Sequence, residues 1–544
     1  MSVSAGGALR GLRGRTWPTR TRPSGEFVLA MLVTSLALCP LAYLAWRAGE
    51  GGERSLAALW HPRTGELLLR SVGLAITVAV TSALCGLPLA WITERVALPG
   101  RRVFAVLFAL PLAVPSYLTA FALVAVLGPR GALADLLDRA VGLERLPEMY
   151  GFAGAWGTLT LVTFPYAYLS IRAALRGLDP TLEDAARVLG ESRRAAFSLV
   201  TLPLLRPAIV AGMLLSALYA LGDFGAIAVL RYPTLTYSIY NQYRLSFDRS
   251  AAATLALLLV VLSAAAVVAE RRWRRRAVFY RSVGTRRPAS LQPPTWWAWL
   301  VLGGGLSLVG LALGAPVSVA AYWWWRARVL SEDMPAVGQA FLNSLLVGFA
   351  AAVLTVCLAL PVARVVSQSQ TSFARLLDVP LWVAYSLPGI VLALSIVSLT
   401  ARFLPFLYQT IPLLLLGYAL RFLPEATGTL KAVFAQQNPR LEEAARTLGL
   451  RRWSIWWRVR LPLAFPGLVA ALTLVFLTTV KELPITLLLS PIGFSTLVTV
   501  VWNATAEAYW THAALPTLLL VAIGVIPMVL LGLWQERVQS GQGG

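Results

Sequence analysis

Charge is what this chain has least of: only 13% of its 544 residues are Asp, Glu, Lys or Arg, about half the share of a soluble domain. With 58% of the residues hydrophobic, that shortage excludes an ordinary water-soluble globule. Lysine is nearly missing, with Lys431 and Lys481 the only two. They are followed by Ala432 and Glu482, outside any glycine frame of the form G-x-x-x-x-G-K-[ST]. No phosphate-binding loop of that kind exists, and the chain is not expected to hydrolyse ATP by itself. Cysteine is scarce too. Cys39, Cys85 and Cys357 all lie in apolar segments without metal-ligand or redox spacing. His61 and His512 stand far apart in stretches read as polar loops. No metal site is identified, no residue reads as catalytic, and no cofactor bound by this chain is expected.

What the chain has is apolar length. Runs fall near 27–46, 67–92, 103–127, 152–175, 204–230 and 251–270, then near 296–325, 341–365, 376–401, 405–430, 463–490 and 514–534. Each can cross roughly 30 Å of hydrocarbon as a helix. Helices are required because an open sheet edge cannot be satisfied in lipid, and no series of ten-residue alternating strands appears. The first run is too long for a signal-peptide core and has no small-residue cleavage site. The expectation is an all-α integral membrane fold of about 12 transmembrane helices in two tandem six-helix repeats of parallel orientation. These are 27–270 and 296–535, with a basic tail at 1–26, a basic linker at 271–295 and a short tail at 536–544. Six spans per half put the repeat axis along the membrane normal.

The net charge of +22 has the same explanation. With the N-terminus inside, the inner segments hold about 32 Lys and Arg and the outer loops about 12, a positive-inside bias that places both termini in the cytoplasm. Basic clusters confined to short loops between spans argue against nucleic acid as a partner; the lipid bilayer is the medium. Trp296, Trp297 and Trp299, and Trp323, Trp324 and Trp325, bracket one apolar run as interfacial belts do. Tyr232, Tyr237, Tyr240 and Tyr243 make a Tyr-rich outer loop, fitted to a binding protein or to such a belt.

One polar stretch occurs twice. Pro180–Pro207 aligns without a gap on Pro439–Pro466, at an offset of 259, and about half the positions are identical. Asp179 and Asn438 are suited to N-caps, with Pro180 and Pro439 at the first helical position. Glu183, Glu442 and Glu443 fall in the first turn, where the helix dipole favours them. Leu182, Ala185, Ala186 and Leu189 form a narrow apolar stripe, as do Leu441, Ala444, Ala445 and Leu448. Gly190 and Gly449 are natural stops. A second helix should then run to Leu202-Pro203, or Leu461-Pro462, before the next span. Each copy reads as a helical hairpin. Duplication on one face favours a docking surface for two copies of one partner over a helix lying on the bilayer.

Asp184-Ala185-Ala186, then Gly190, then Leu202-Pro203 resembles the EAA loop of binding-protein-dependent ABC importer permeases, and so does Glu443-Ala444-Ala445, Gly449, Leu461-Pro462. The first copy departs by its Asp184, although Glu183 precedes it. The loops cover about 176–207 and 432–466. The resemblance implies a type I ABC importer-like permease of a bacterial inner membrane. It also implies two copies of a cytoplasmic ABC ATPase that carry ATP and Mg²⁺, and an extracytoplasmic substrate-binding protein. Glu183, Asp184, Ala185, Ala186 and Gly190, with Glu442, Glu443, Ala444, Ala445 and Gly449, would couple to the ATPases. The fused form, with 221–253 and 480–510, is similar to ferric-iron transport permeases; thiamine-type permeases share the architecture.

Asp223 and Glu482 also pair at the offset of 259, inside apolar spans. Each adjoins an interruption, Gly222 and Gly225 in one half and Pro484 in the other, with Lys481 beside Glu482. Ionisable residues at matched helix breaks point to a pathway or gate; an interhelical ion pair is the structural alternative. Carboxylate oxygens suit a hard cation, but two discriminate poorly. A different class, an ion-coupled secondary transporter, would use Asp223 and Glu482 as its relay.

Overall fold

A Leu-, Val- and Ala-rich run can satisfy its backbone in lipid only by hydrogen-bonding to itself, and the computed structural model shows helix after helix. It describes residues 25–128, 148–244, 248–276, 291–331, 336–368, 377 and 387–541. Among the described residues, eight helices are long and apolar enough to cross a bilayer: Gly25–Glu50, Pro62–Arg95, Arg193–Gly222, Arg249–Glu270, Trp296–Val329, Gly338–Ser367, Trp453–Val480 and Trp510–Leu533. Arg101–Ala113 and Ser116–Leu127 make a ninth, bent by 94° at its break. Phe152–Gly177, Gly389–Phe403 and Ile411–Gln436 complete twelve. These three are less apolar or shorter because protein, not lipid, surrounds them. Thr158, Thr163, Tyr168 and Tyr418 are buried on them. In chain order the twelve are spans 1 to 12, six to each half.

The two halves repeat one plan. Spans 2, 4 and 5 pack together in the first, and spans 8, 10 and 11 in the second. Small residues permit the approach: a Cβ on Gly86 would lie 2.7 Å from the Tyr168 nitrogen. Ser71 of span 2 accepts the Leu235 N–H at 2.9 Å, and Ser344 of span 8 accepts the Leu497 N–H at 2.8 Å. Each caps a short helix, Leu235–Arg244 or Leu497–Ala506. The halves also interlock. Span 1 packs on spans 8 and 9 of the other half, and span 7 packs against spans 2 and 3. Arg364 of span 8 accordingly pairs with Glu26 of span 1. One hydrophobic core runs through both halves.

Several expectations change in detail. The runs 204–230 and 463–490 are not single spans. Span 5 ends at Gly222 and a separate helix, Gly225–Val229, follows; span 11 ends at Val480, before Pro484–Leu489. The Leu-Pro pairs do not end a helix. Arg193–Gly222 and Trp453–Val480 run through them, because π-helical turns at Phe197–Thr201 and Trp456–Arg460 absorb the donor that Pro203 and Pro462 lack. The Tyr-rich segment is largely helical, and Tyr240 packs on Phe224 with ring centroids 4.6 Å apart. His512 lies in the helix of span 12, stacked near Tyr509, not in a loop. Arg271 to Arg276, assigned to the linker, prolong the helix of span 6. The tail at 1–24, the outer insertion at 129–147, the linker at 277–290 and the last residues, 542–544, lie outside the described residues.

Candidate functional site

The matched helix breaks meet at a cavity of about 150 Å³ between the halves. Its wall is built in pairs at the offset of 259: Asp223 with Glu482, Gly222 with Lys481, Tyr166 with Glu425, and Tyr219 with Thr478. The sequence-predicted residues Asp223, Glu482, Lys481, Gly222 and Pro484 are thus brought together. Arg421 and Glu425 of span 10 join them and were missed. Their signal was available, since they stand four apart, on one helix face, within an apolar run.

The two matched carboxylates have different environments. Asp223 accepts the Ala226 N–H at 2.9 Å and the Ile227 N–H at 3.4 Å on one oxygen, and the Ser116 hydroxyl on the other. It caps Gly225–Val229 and binds the first residue of the helix that follows the break in span 3. Glu482 lies against Gly389, the first residue of span 9, and its Oε1 is buried without a protein donor. Glu425 Oε2 is placed likewise. The cations hold backbone. Lys481 Nζ donates to the Leu112 carbonyl at 2.6 Å, and Arg421 donates to the Leu387 carbonyl. Both carbonyls precede the helices Ser116–Leu127 and Gly389–Phe403. Among the described residues, no group of three His, Cys, Asp or Glu is placed to hold a metal ion.

The repeated hairpins lie elsewhere. Thr181–Val188 and Pro439–Thr447 are their first helices. Asp179 accepts the Thr181 N–H at 3.0 Å, a bond that holds its carboxyl below the usual range. Asn438 accepts the Arg440 N–H at 3.0 Å. The first helix starts one residue later than expected, with Pro180 at the cap position. Both end in the same left-handed turn, Gly190 at φ 95° and Gly449 at φ 78°. The next N–H bonds the carbonyl five residues back, Glu191 to Ala186 and Leu450 to Ala445. Leu189 and Leu448 project 86% and 80% exposed. Asp184, Ala185, Glu443 and Ala444 are exposed, Ala186 is half-buried and Ala445 is buried.

Glu183 and Glu442 face inward to the root of the next span. The Thr201 hydroxyl donates to Glu183 at 3.3 Å; at the matching positions Arg460 pairs with Glu442, which also holds Arg446 at 2.7 Å. The π-helical turns are clamped to spans 2 and 8, again at matched positions. Trp91 meets Phe197 edge-on at 4.9 Å, whereas Arg364 lies over Trp456 at 5.1 Å.

Residues 86–277 and 338–540 each match the family described as the binding-protein-dependent transport system inner membrane component. The chain is 32% identical over 516 residues to the Fe(3+)-transport system permease protein FbpB 2 of Haemophilus influenzae, across 94% of this chain and 98% of that protein. It is 28% identical over 368 residues to the thiamine transport system permease protein ThiP of Brucella abortus, 66% of each chain. Over 161 residues it is 33% identical to the molybdenum transport system permease protein ModB of Escherichia coli, 29% of this chain and 69% of that one. With the family's domain present once in each half and one relative matched from end to end, this chain belongs to the binding-protein-dependent inner-membrane permeases of ABC importers.

Proposed function

We propose that the chain imports ferric iron: an extracytoplasmic binding protein delivers the ion, and two copies of a separate ATPase drive it through the cavity between the halves. The observation that carries the cargo is the similarity to an Fe(3+) permease over 98% of that protein's length. The cavity supports it. Three carboxylates face two cations there, and both cations are engaged by backbone carbonyls, so the free acceptors are carboxylate oxygens. Such oxygens suit a hard cation and disfavour molybdate or sulfate. Iron is the cargo in passage, not a resident cofactor.

The hairpins are the docking surfaces for the ATPases. Glu183 and Glu442 hold the hairpin helices to spans 5 and 11, Gly190 and Gly449 set their ends, and Leu189 and Leu448 present apolar knobs. A push on a hairpin then reaches the broken ends of spans 5 and 11, where Asp223 and Glu482 stand. The Arg distribution supports a cytoplasmic position for the hairpins and both termini. The test is reconstitution of the chain with its co-purifying ATPase and binding protein in proteoliposomes. Radiolabelled ferric iron should accumulate only with ATP, while molybdate and thiamine should not. Uptake of another solute in place of iron would replace the cargo, and uptake by this chain alone under an ion gradient would overturn the importer reading.

A further inference from the structure

The two cations of the cavity do the same local work with different reach. Span 3 breaks through a 3-10 turn, Leu110–Ala113, before Pro115. Pro115 stands three residues after Leu112 and has no N–H to return to the Leu112 carbonyl. Lys481 supplies the missing donor at 2.6 Å. Lys481 belongs to the second half and Leu112 to the first. Arg421 likewise donates to the carbonyl of Leu387, ahead of span 9, but both of these residues belong to the second half. The position matching Lys481 is Gly222, which has no side chain to reach back. Of these two bonds, that of Lys481 joins the two halves at the cavity wall and that of Arg421 does not.

We propose that Lys481 is a latch between the halves, whose bond to the Leu112 carbonyl must open before the cavity can admit a solute. This rests on the reading of the cavity as the transport route. Arg421 can keep its bond when the halves separate, because donor and acceptor travel together; Lys481 cannot. The link also joins the two moving parts directly, since Lys481 follows the last turn of span 11, the span rooted in the second hairpin, and Leu112 sits at the bend of span 3.

The experiment uses the full chain in complex with its ATPase, with Cys39, Cys85 and Cys357 replaced by Ala and one cysteine introduced on the cavity wall as Leu218→Cys. Labelling by a short, neutral maleimide–polyethylene glycol is timed without nucleotide, from each face of the membrane. Lys481→Met should raise the labelling rate about tenfold from at least one face, and Lys481→Arg, which keeps a charged donor, should stay within about twofold of the parent. A parent-like rate in Lys481→Met, or an Arg variant as fast as the Met variant, overturns the latch. If the Met variant does not assemble, Lys481→Leu, which also lacks a donor, is read by the same criteria. Should ATP-driven uptake fail in the parent complex, the transport reading falls, while the labelling rates still report whether Lys481 closes the cavity.

Discussion

The two halves reach the same geometry by different chemistry. At the hairpin root, the first half closes with a hydroxyl-to-carboxylate hydrogen bond, Thr201 to Glu183; the second uses Arg460 on Glu442. At the π-helical turn the first half packs Trp91 on Phe197, and the second sets Arg364 over Trp456 and ties it to Glu26. In the cavity, Asp223 is a fully bonded helix cap and Glu482 keeps a free oxygen. A repeat preserves positions and backbone; side-chain partners drift wherever the contact survives. At these matched places the first half uses uncharged donors and ring packing where the second uses Arg side chains; between spans 2 and 4 the first half has its own ion pairs, Glu94 with Arg172 and Arg176.

The hairpin backbone is the part that the comparison says is equal. Gly190 and Gly449 both adopt positive φ, and both donate N–H to the carbonyl three residues back. Proline can do neither. Gly190→Pro and Gly449→Pro should each lower recovery of the ATPase in pull-down by roughly tenfold, and together abolish it, with insertion in the membrane unchanged. Retained recovery in the double variant would remove the docking role, and strongly unequal single variants would break the symmetry of the two hairpins.

The carboxylates should separate next. Glu482→Gln leaves the fold intact, because its Oε1 has no protein donor to lose, but removes the charge from the free acceptor. Asp223→Leu removes three hydrogen bonds that fix a helix start. Uptake should fall about tenfold in Glu482→Gln with melting temperature unchanged. Asp223→Leu should lose about 1–2 kcal/mol of stability from the cap, visible as a lowered melting temperature of the detergent-solubilised complex. If both variants shift the same observable, the matched carboxylates share one role after all.

Span number, the hairpins, their glycine stops and the pairing of Asp223 with Glu482 were legible because each follows from local chemistry repeated at a fixed offset. The bend in span 3 was not, although Pro111 and Pro115 mark it, since a run of apolar residues reads the same whether straight or folded at 94°. Arg421 and Glu425 were legible by their spacing but not by their burial: span 10 is sheltered by protein, and sheltered helices tolerate charge that lipid-facing ones do not. The fate of Leu202-Pro203 depended on a π-helical turn, Phe197–Thr201, that no apolar periodicity announces. The interlocking of spans 1 and 7 with the opposite halves rests on long-range packing that no local pattern encodes.

The most selective effect lies at the hairpin roots. Thr201→Val removes one long hydroxyl-to-carboxylate hydrogen bond, 3.3 Å, worth about 1 kcal/mol. Arg460→Met removes a buried guanidinium from Glu442, which keeps Arg446, and the loss should be about 1–3 kcal/mol. Amide hydrogen exchange of the two hairpins in the intact complex reads both. Salt then separates mechanism from magnitude. Between 50 mM and 500 mM the screening length falls by about threefold, so protection of 439–450 in the parent should weaken while that of 181–191 stays constant. Arg460→Met should change the size of that difference, because Glu442 is then left with the exposed Arg446 as its one ion-pair partner. Equal salt dependence in the two hairpins of the parent would mean that the charge of the second half decorates a geometry it does not hold.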